Sequence, residues 1–248
     1  MRRVTILGAG PAGLSAAINL AREGFQISVY EKNQDVGKRF KGDFQGLENW
    51  TVNENILKSF KKMNIKFNFD YTPFKSFTLS DGDKFWNFHL NRPAFYLVKR
   101  GPLEGTLDHG LKEQALDLGV DIHFGETVPG DDVGRLYVGE AAGIQDLLWG
   151  FGIRSAVTSG FLAAKALIHN KDYGELAKSE FKNKLKSGIV NRFLWELTGD
   201  YSWIVDRVYG SSDPLNYVGS FHNFNMLQRL LYPLARFHMK RRYDNLRL

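Results

Sequence analysis

Three glycines and one acid are spaced to hold a pyrophosphate. Residues 3–31 read RVTILGAGPAGLSAAINLAREGFQISVYE. Gly8, Gly10 and Gly13 form a G-x-G-x-x-G step between the apolar run Val4–Leu7 and an alanine-rich helical stretch. A second apolar run, Gln26–Tyr30, ends at Glu31, 18 positions after Gly13. A dinucleotide fingerprint needs this strand–turn–helix–strand–acid order. Gly8 lets the chain turn sharply, Gly10 lets a phosphate approach the backbone, and Gly13 lets the helix pack close to the sheet. Pro11 and Ala12 open the helix, whose free N–H groups and positive dipole end face the phosphates. Glu31 suits ribose hydroxyls and repels a 2′-phosphate, which disfavours NADP here. Lys32 begins the basic, glycine-rich loop of residues 32–50 beside this site. The alternative is a plain βαβ unit whose glycines serve only turning and packing.

A second set of residues lies far along the chain. Residues 136–153 read LYVGEAAGIQDLLWGFGI, a strand-like run followed by Gly139-Glu140 and then by Gly150-x-Gly152-Ile153 at a helix start. Arg39 and Arg100 are cations near the two motifs in sequence, with ordinary surface charge as their other reading. Glu140 either serves the site or solvates a strand end. Trp149 and Phe151 read as packing residues, with a pocket wall as the alternative. The six histidines show no metal spacing, and without cysteine there is no disulfide, thiolate metal site or redox dithiol. No side chain can be named as catalytic acid or base.

The positioning elements follow from periodicity and turn signals. Thr51–Met63 reads as a helix with Thr51 and Glu54 as a capping box. IKFNF, FKSFTLS and KFWNFHL in residues 65–98 read as antiparallel strands, broken at Asp81-Gly82 and Arg92-Pro93. Glu104–Leu118 reads as a helix, and Val120–Phe124 and Leu136–Val138 as strands. Leu147–Asn170 holds a loop and a small-residue helix able to pack tightly on the sheet. Residues 171–248 read as helical and aromatic, with Leu227, Leu230, Leu231 and Leu234 on one face of the last helix.

Taken with the fingerprint, the second motif resembles the FAD-dependent oxidoreductases of the geranylgeranyl reductase and para-hydroxybenzoate hydroxylase superfamily. The segment Val98-Lys99-Arg100-Gly101 followed by Leu107-Asp108 is similar to that family's middle motif. The resemblance covers residues 1–63 and 95–168. It implies that Gly8, Gly10 and Gly13 hold the FAD pyrophosphate and Glu31 the adenosine ribose. It places Arg39 and Arg100 near the pyrophosphate or the flavin. Glu140 stands where the family usually has Asp, at the ribitol and pyrophosphate. Gly150, Gly152 and Ile153 present N–H groups to the pyrimidine edge, where a helix N-terminus stabilises negative charge on reduced flavin. The fold expected is α/β. Residues 1–63 and 95–170 form a Rossmann-like FAD-binding domain with a parallel sheet. Residues 64–94 keep part of an antiparallel substrate sheet, and 171–248 form a helical C-terminal region. The chain departs from the family at GETVPGDDVGR, residues 125–135, where a join too short for the usual substrate sheet and one nucleotide-domain strand leads to Leu136. That join predicts exposed apolar surface where the absent part packs.

The function implied is FAD-dependent oxidoreduction of a hydrophobic organic substrate, with NAD(P)H or another donor, and with the geranylgeranyl reductase type favoured over a hydroxylase. The competing reading is an FAD- or ADP-binding protein without turnover. At 43% hydrophobic residues the chain can build a core, and its net charge of +6 favours anionic partners. No nucleic-acid motif accompanies the charge. The absence of a charged-then-apolar leader and of a long apolar run predicts a cytoplasmic protein. The basic residues His238, Lys240, Arg241, Arg242 and Arg247 admit peripheral contact with an anionic membrane through 236–248, or simply a solvated helix end.

Overall fold

The structure is a computed structural model that describes residues 2–51, 54–128, 134–199 and 202–242, with side chains up to Lys240. Strand β1 (Arg3–Leu7) leads through the glycine turn into helix α1 (Pro11–Arg22), which returns to β2 (Gln26–Glu31). β1 and β2 pair in parallel, with Val4 opposite Ile27 and Ile6 opposite Val29. Strand β8 (Asp121–Phe124) adds to the other side of β2, also in parallel, giving the order β1-β2-β8. The helix before it, α3 (Leu107–Asp117), is capped by Thr106, whose hydroxyl accepts from the His109 N–H. Leu107, Leu111 and Ala115 are fully buried against the same core as Leu14, Ile18 and Val29.

Helix α4 (Ile153–His169) packs closely on α1. A Cβ on Gly160 would lie 2.0 Å from the Ala12 carbonyl oxygen, and one on Gly13 would lie 2.1 Å from that of Gly8. The Ser15 hydroxyl donates to the Val157 carbonyl at 2.8 Å across the same contact. Small residues therefore bring both helix N-termini to one end of the parallel sheet.

Three antiparallel strands stand beside this unit: β3 (Phe44–Glu48), β4 (Tyr71–Phe74) and β7 (Phe95–Lys99), in the order β3-β7-β4. β5 (Ser76–Ser80) and β6 (Phe85–His89) form a separate hairpin over the Asp81-Gly82 turn. Helix α2 (Ile56–Lys62) fills the space between β3 and β4 in the chain. The remainder is helical: α5 (Tyr173–Thr198), α6 (Ser202–Tyr209), α7 (Pro214–Ser220) and α8 (Met226–Arg242). A Rossmann-like parallel sheet, a small antiparallel part and a helical C-terminal region are all present, as the sequence leads one to expect.

Several element boundaries differ from the sequence reading. α2 begins at Ile56 and is capped by Asn55, whose side chain accepts from the Leu57 N–H, so the Thr51–Glu54 capping box does not form. Thr51 instead donates to Glu48, and Glu54 binds Ser59 and Lys62; residues 52–53 lie outside the described ones. IKFNF is not a strand; Ile65 and Phe69 are buried core residues next to Phe60. Leu136–Val138 runs without strand pairing, and a single 3₁₀ turn, Gly139–Ala142, follows it. Residues 129–133 of the short join lie outside the described residues.

Helix α8 forms where the sequence places it, with most of its leucine face turned outward. Leu227, Leu230 and Leu234 are 61%, 70% and 57% exposed. The face that packs on α5 carries Gln228, Leu231, Tyr232, Ala235 and Met239. Small Ala235 lets the helices approach, and Gln228 Nε2 donates to Asn191 Oδ1 of α5 at 2.8 Å. A sequence pattern rewards the greasier stripe, whereas docking here follows shape and a buried amide pair.

Candidate dinucleotide site

A groove of about 610 Å3 runs across the ends of β1 and β2 and between the N-termini of α1 and α4. That size suits a bound small molecule. Gly8 turns out of β1 with φ +99°, which a side chain tolerates poorly, and its N–H donates to the Tyr30 carbonyl at 2.8 Å. A Cβ on Gly10 would meet nothing within 4 Å, so no internal packing fills the space beside it. Pro11, Ala12 and Gly13 line the groove floor.

The two helices that open on the groove share an unusual feature. α1 is N-capped by Gly10 and α4 by Gly152, neither has a side-chain cap, and neither first turn holds an acid. Their first N–H groups remain available to an anionic ligand, and both dipoles add positive potential. Gly150, Gly152 and Ile153 all line the groove at the α4 end, and Lys32, Lys38 and Arg39 at its edge.

Glu31 is buried, and its carboxylate is already anchored. Oε2 accepts from the Ala9 N–H at 2.9 Å, while Oε1 accepts from the Asn33 N–H at 2.9 Å and from its side-chain amide at 2.6 Å. It therefore fixes the fingerprint turn to the loop after β2, and it also lines the groove. Arg39 Nη1 lies 3.0 Å from Glu140 Oε2 at the groove mouth, with both side chains about two-thirds exposed. Such a pair contributes about 0–1 kcal/mol and opens readily.

Arg100 is only 4% exposed. Nε and Nη2 donate to the two oxygens of Asp108 at 2.8 Å each, Nη1 donates to Gln45, and the guanidinium lies 4.2 Å over the Phe40 ring. Its charge is thus balanced inside the protein. It shapes the groove wall as a bidentate pair rather than standing as a loose cation. Gly139 sits behind the groove, where its N–H donates to Ser159 Oγ at 2.8 Å; the adjacent Glu140 faces the groove. All the sequence candidates except Gly139 line this one groove. Asp108, Gln45, Asn33 and Gln145 line it too. Only Asp108 had a sequence signal, as part of the Leu107-Asp108 step.

Behind the groove, β3 and α4 are tied by a buried charge cluster. Glu48 Oε1 is 3.7 Å from Arg154 Nε, one residue past Ile153, and accepts from Thr51 Oγ1 at 3.0 Å. Burial pushes the Glu48 carboxyl up to about 7, despite the opposing pull of Arg154. Burial likewise raises Asp146 and holds His222 below the usual imidazole range. Asp146 accepts from the Leu148 and Trp149 N–H groups, which shapes the loop leading to Gly150.

That loop also turns two aromatic rings away from the groove. Trp149 and Phe151 enter a wholly apolar chamber of about 200 Å3 with Trp50, Phe77, Phe95 and Leu215. Phe151 packs closely on β3 at Gly46, where a Cβ would come within 2.3 Å of its ring. Gly150 and Gly152 belong to the groove and Phe151 to the chamber, so a single tripeptide separates them.

Residues 6–53 match the NAD(P)-binding Rossmann-like domain family. The chain is 57% identical over 42 residues to an all-trans-zeta-carotene desaturase from Myxococcus xanthus, covering 17% of this chain and 8% of that protein. It is 31% identical over 118 residues to an L-amino-acid oxidase from Trimeresurus stejnegeri, covering 45% of this chain and 22% of that protein. These curated relatives are thus matched over less than a quarter of their length. Among solved structures, a geranylgeranyl bacteriochlorophyll reductase-like protein from Thermoplasma acidophilum superposes with a TM-score of 0.55 over 99% of this chain and 98% of that one, at 13% identity. The fold is shared with that protein, and residues 6–53 resemble a nucleotide-binding Rossmann unit.

Proposed function

We propose that the chain is an FAD-dependent oxidoreductase acting on a hydrophobic organic substrate, with a reductase of the geranylgeranyl type favoured over a hydroxylase. The observation that carries this reading is the adjacency of groove and chamber across Gly150-Phe151-Gly152. An anion-binding groove with two uncapped helix N-termini suits the pyrophosphate of a dinucleotide. An apolar chamber next to the redox end suits a greasy substrate. The carotene desaturase relative and the reductase-like fold support that substrate class.

When bound, the flavin supplies hydride chemistry between a nicotinamide or other donor and the substrate. This chain's residues do the rest. The turn at Gly8–Gly13 and the start of α1 hold phosphate. Glu31 stands ready for the adenosine ribose with lone pairs left over from its three backbone and amide donors. The N–H groups of the first turn of α4 stabilise negative charge at the far end of the groove. The Arg100–Asp108 pair and Gln45 fix the wall between them. Trp50, Phe95 and Phe151 exclude water from the chamber side.

A second reading, cofactor binding without turnover, draws support from the short join at residues 125–135 and from a parallel sheet of three strands among the described residues. An absorbance spectrum of the purified chain, taken before and after FAD addition and desalting, tests the first claim. Flavin bands that co-elute, and that bleach with NAD(P)H as well as with dithionite, are expected. Bleaching by dithionite alone, with no NAD(P)H oxidised, favours the second reading. A folded, colourless protein after FAD addition removes both.

A further inference from the structure

We propose that the outward face of α8 seats the protein on an anionic lipid surface. This inference stands apart from the redox reading, because it uses none of the groove or chamber residues. The α5 contact takes one side of α8. The other side shows Met226, Leu227, Leu230, Leu234 and Phe237, each more than half exposed. At about 100° per residue these five fall within roughly a third of the helix circumference. Arg229, Arg236 and Lys240 fall together on the adjacent arc and are exposed as well. From Met226 to Arg242 the sequence has five Lys or Arg and no Asp or Glu.

A water-facing helix has no reason to carry five large apolar side chains in one stripe. A helix lying in a bilayer interface does, because the stripe enters the acyl boundary while flanking cations meet headgroup phosphates. Charge selects among occupants. A second copy of this chain brings another net +6 to the contact, and the face offers it no acidic partner. An anionic bilayer complements both the stripe and its rim. No described helix is long and apolar enough to cross a membrane, so the contact proposed is in-plane.

The test is co-sedimentation of the full chain with phosphatidylcholine vesicles, with and without phosphatidylglycerol, at low and high salt. Strong binding to the anionic vesicles, weakened by salt, is expected. Leu230→Asp with Leu234→Asp should lower the partition coefficient by at least ~tenfold, since both residues stand in the apolar stripe. Lys240→Glu should lower it by about fivefold or more at low salt, from the reversal of one surface charge. Because Lys240 is exposed, this second variant keeps the test open even if the double leucine variant misfolds. Failure of the wild-type chain to bind anionic vesicles overturns the proposal. So does equal binding of wild type and Lys240→Glu to neutral and anionic vesicles. A dimer on a sizing column that the double leucine variant converts to monomer, with no vesicle binding, also overturns it and assigns the face to a second copy.

Discussion

Helices α1 and α8 are both amphipathic, yet they sit in opposite ways. α1 buries a continuous block from Ala12 to Leu20 and is gripped by α4 through contacts that admit no extra methyl group. α8 buries a narrow face of one amide, one alanine and a few larger side chains, and leaves Leu227, Leu230 and Leu234 in water. In the first case, backbone geometry fixes the neighbour. In the second, side-chain shape chooses one of two apolar faces and leaves the other for something else. The dinucleotide half is therefore expected to tolerate little, the seam behind it to respond to pH, and the outer face of α8 to tolerate much.

The largest effect expected is at the groove wall. Asp108→Ala leaves the Arg100 guanidinium buried without its carboxylate and should cost about 3–5 kcal/mol in chemical denaturation. Unchanged stability would mean that the wall is looser than the α1 region and would break the contrast. Gly13→Ala should cost about 3 kcal/mol, because the new Cβ meets the Gly8 carbonyl at 2.1 Å and backbone must move. The readout is the melting temperature together with FAD retention, and both should fall. A variant that melts like wild type would show that α1 can slide.

The seam is next. Glu48 binds a proton more tightly folded, at about 7, than unfolded, near the ordinary 4.5. The native state therefore holds more protons than the unfolded one between those values, and stability falls as pH rises through that window. The drop should be roughly 2–3 kcal/mol, with Glu48→Gln flattening the profile; Arg154, Asp146 and Lys184 are the charges acting on it. His222, held low by burial, acts the other way and loses its contribution as pH falls below the usual imidazole value. Melting curves of wild type and Glu48→Gln from pH 5 to 8, on the order of these pKa values, check this. Parallel profiles would remove Glu48 as the source. The smallest effect belongs to α8: Leu234→Gln should change stability by less than about 0.5 kcal/mol. A much larger loss would show that the exposed stripe packs on something in solution.

How much was legible in the sequence differs along the same line. Gly8, Gly10, Gly13 and Glu31 could be read because each role is local, a turn, a close approach or a strand end a fixed number of residues away. Gly150-x-Gly152 could be read for the same reason. The exclusion of thiolate chemistry followed from composition alone. The pairing of Arg100 with Asp108 was hidden although both residues were named, because it depends on the turn after β7 folding the first turn of α3 back onto the strand end. The capping of α2 by Asn55 was hidden too, since Thr51 found a better partner in Glu48. The strand expected at Leu136–Val138 has the composition of a strand but no pairing partner among the described residues, and a strand exists only through its partner. The leucine face of α8 was legible as a stripe, but its exposure was not, because periodicity reports which stripe is apolar and not which one is docked.

The sequence by itself determined the strand–turn–helix–strand unit, its glycine turn and the acid that follows, since these depend on backbone freedom and short-range order. Only the tertiary structure decided that two uncapped helices converge on one groove, that Phe151 turns from that groove into an apolar chamber, and that α8 shows its greasy side outward. Those outcomes depend on which surfaces meet across 101 and 142 residues at the groove and at the α1–α4 contact and across 37 at the α5–α8 contact, and no local pattern encodes that choice.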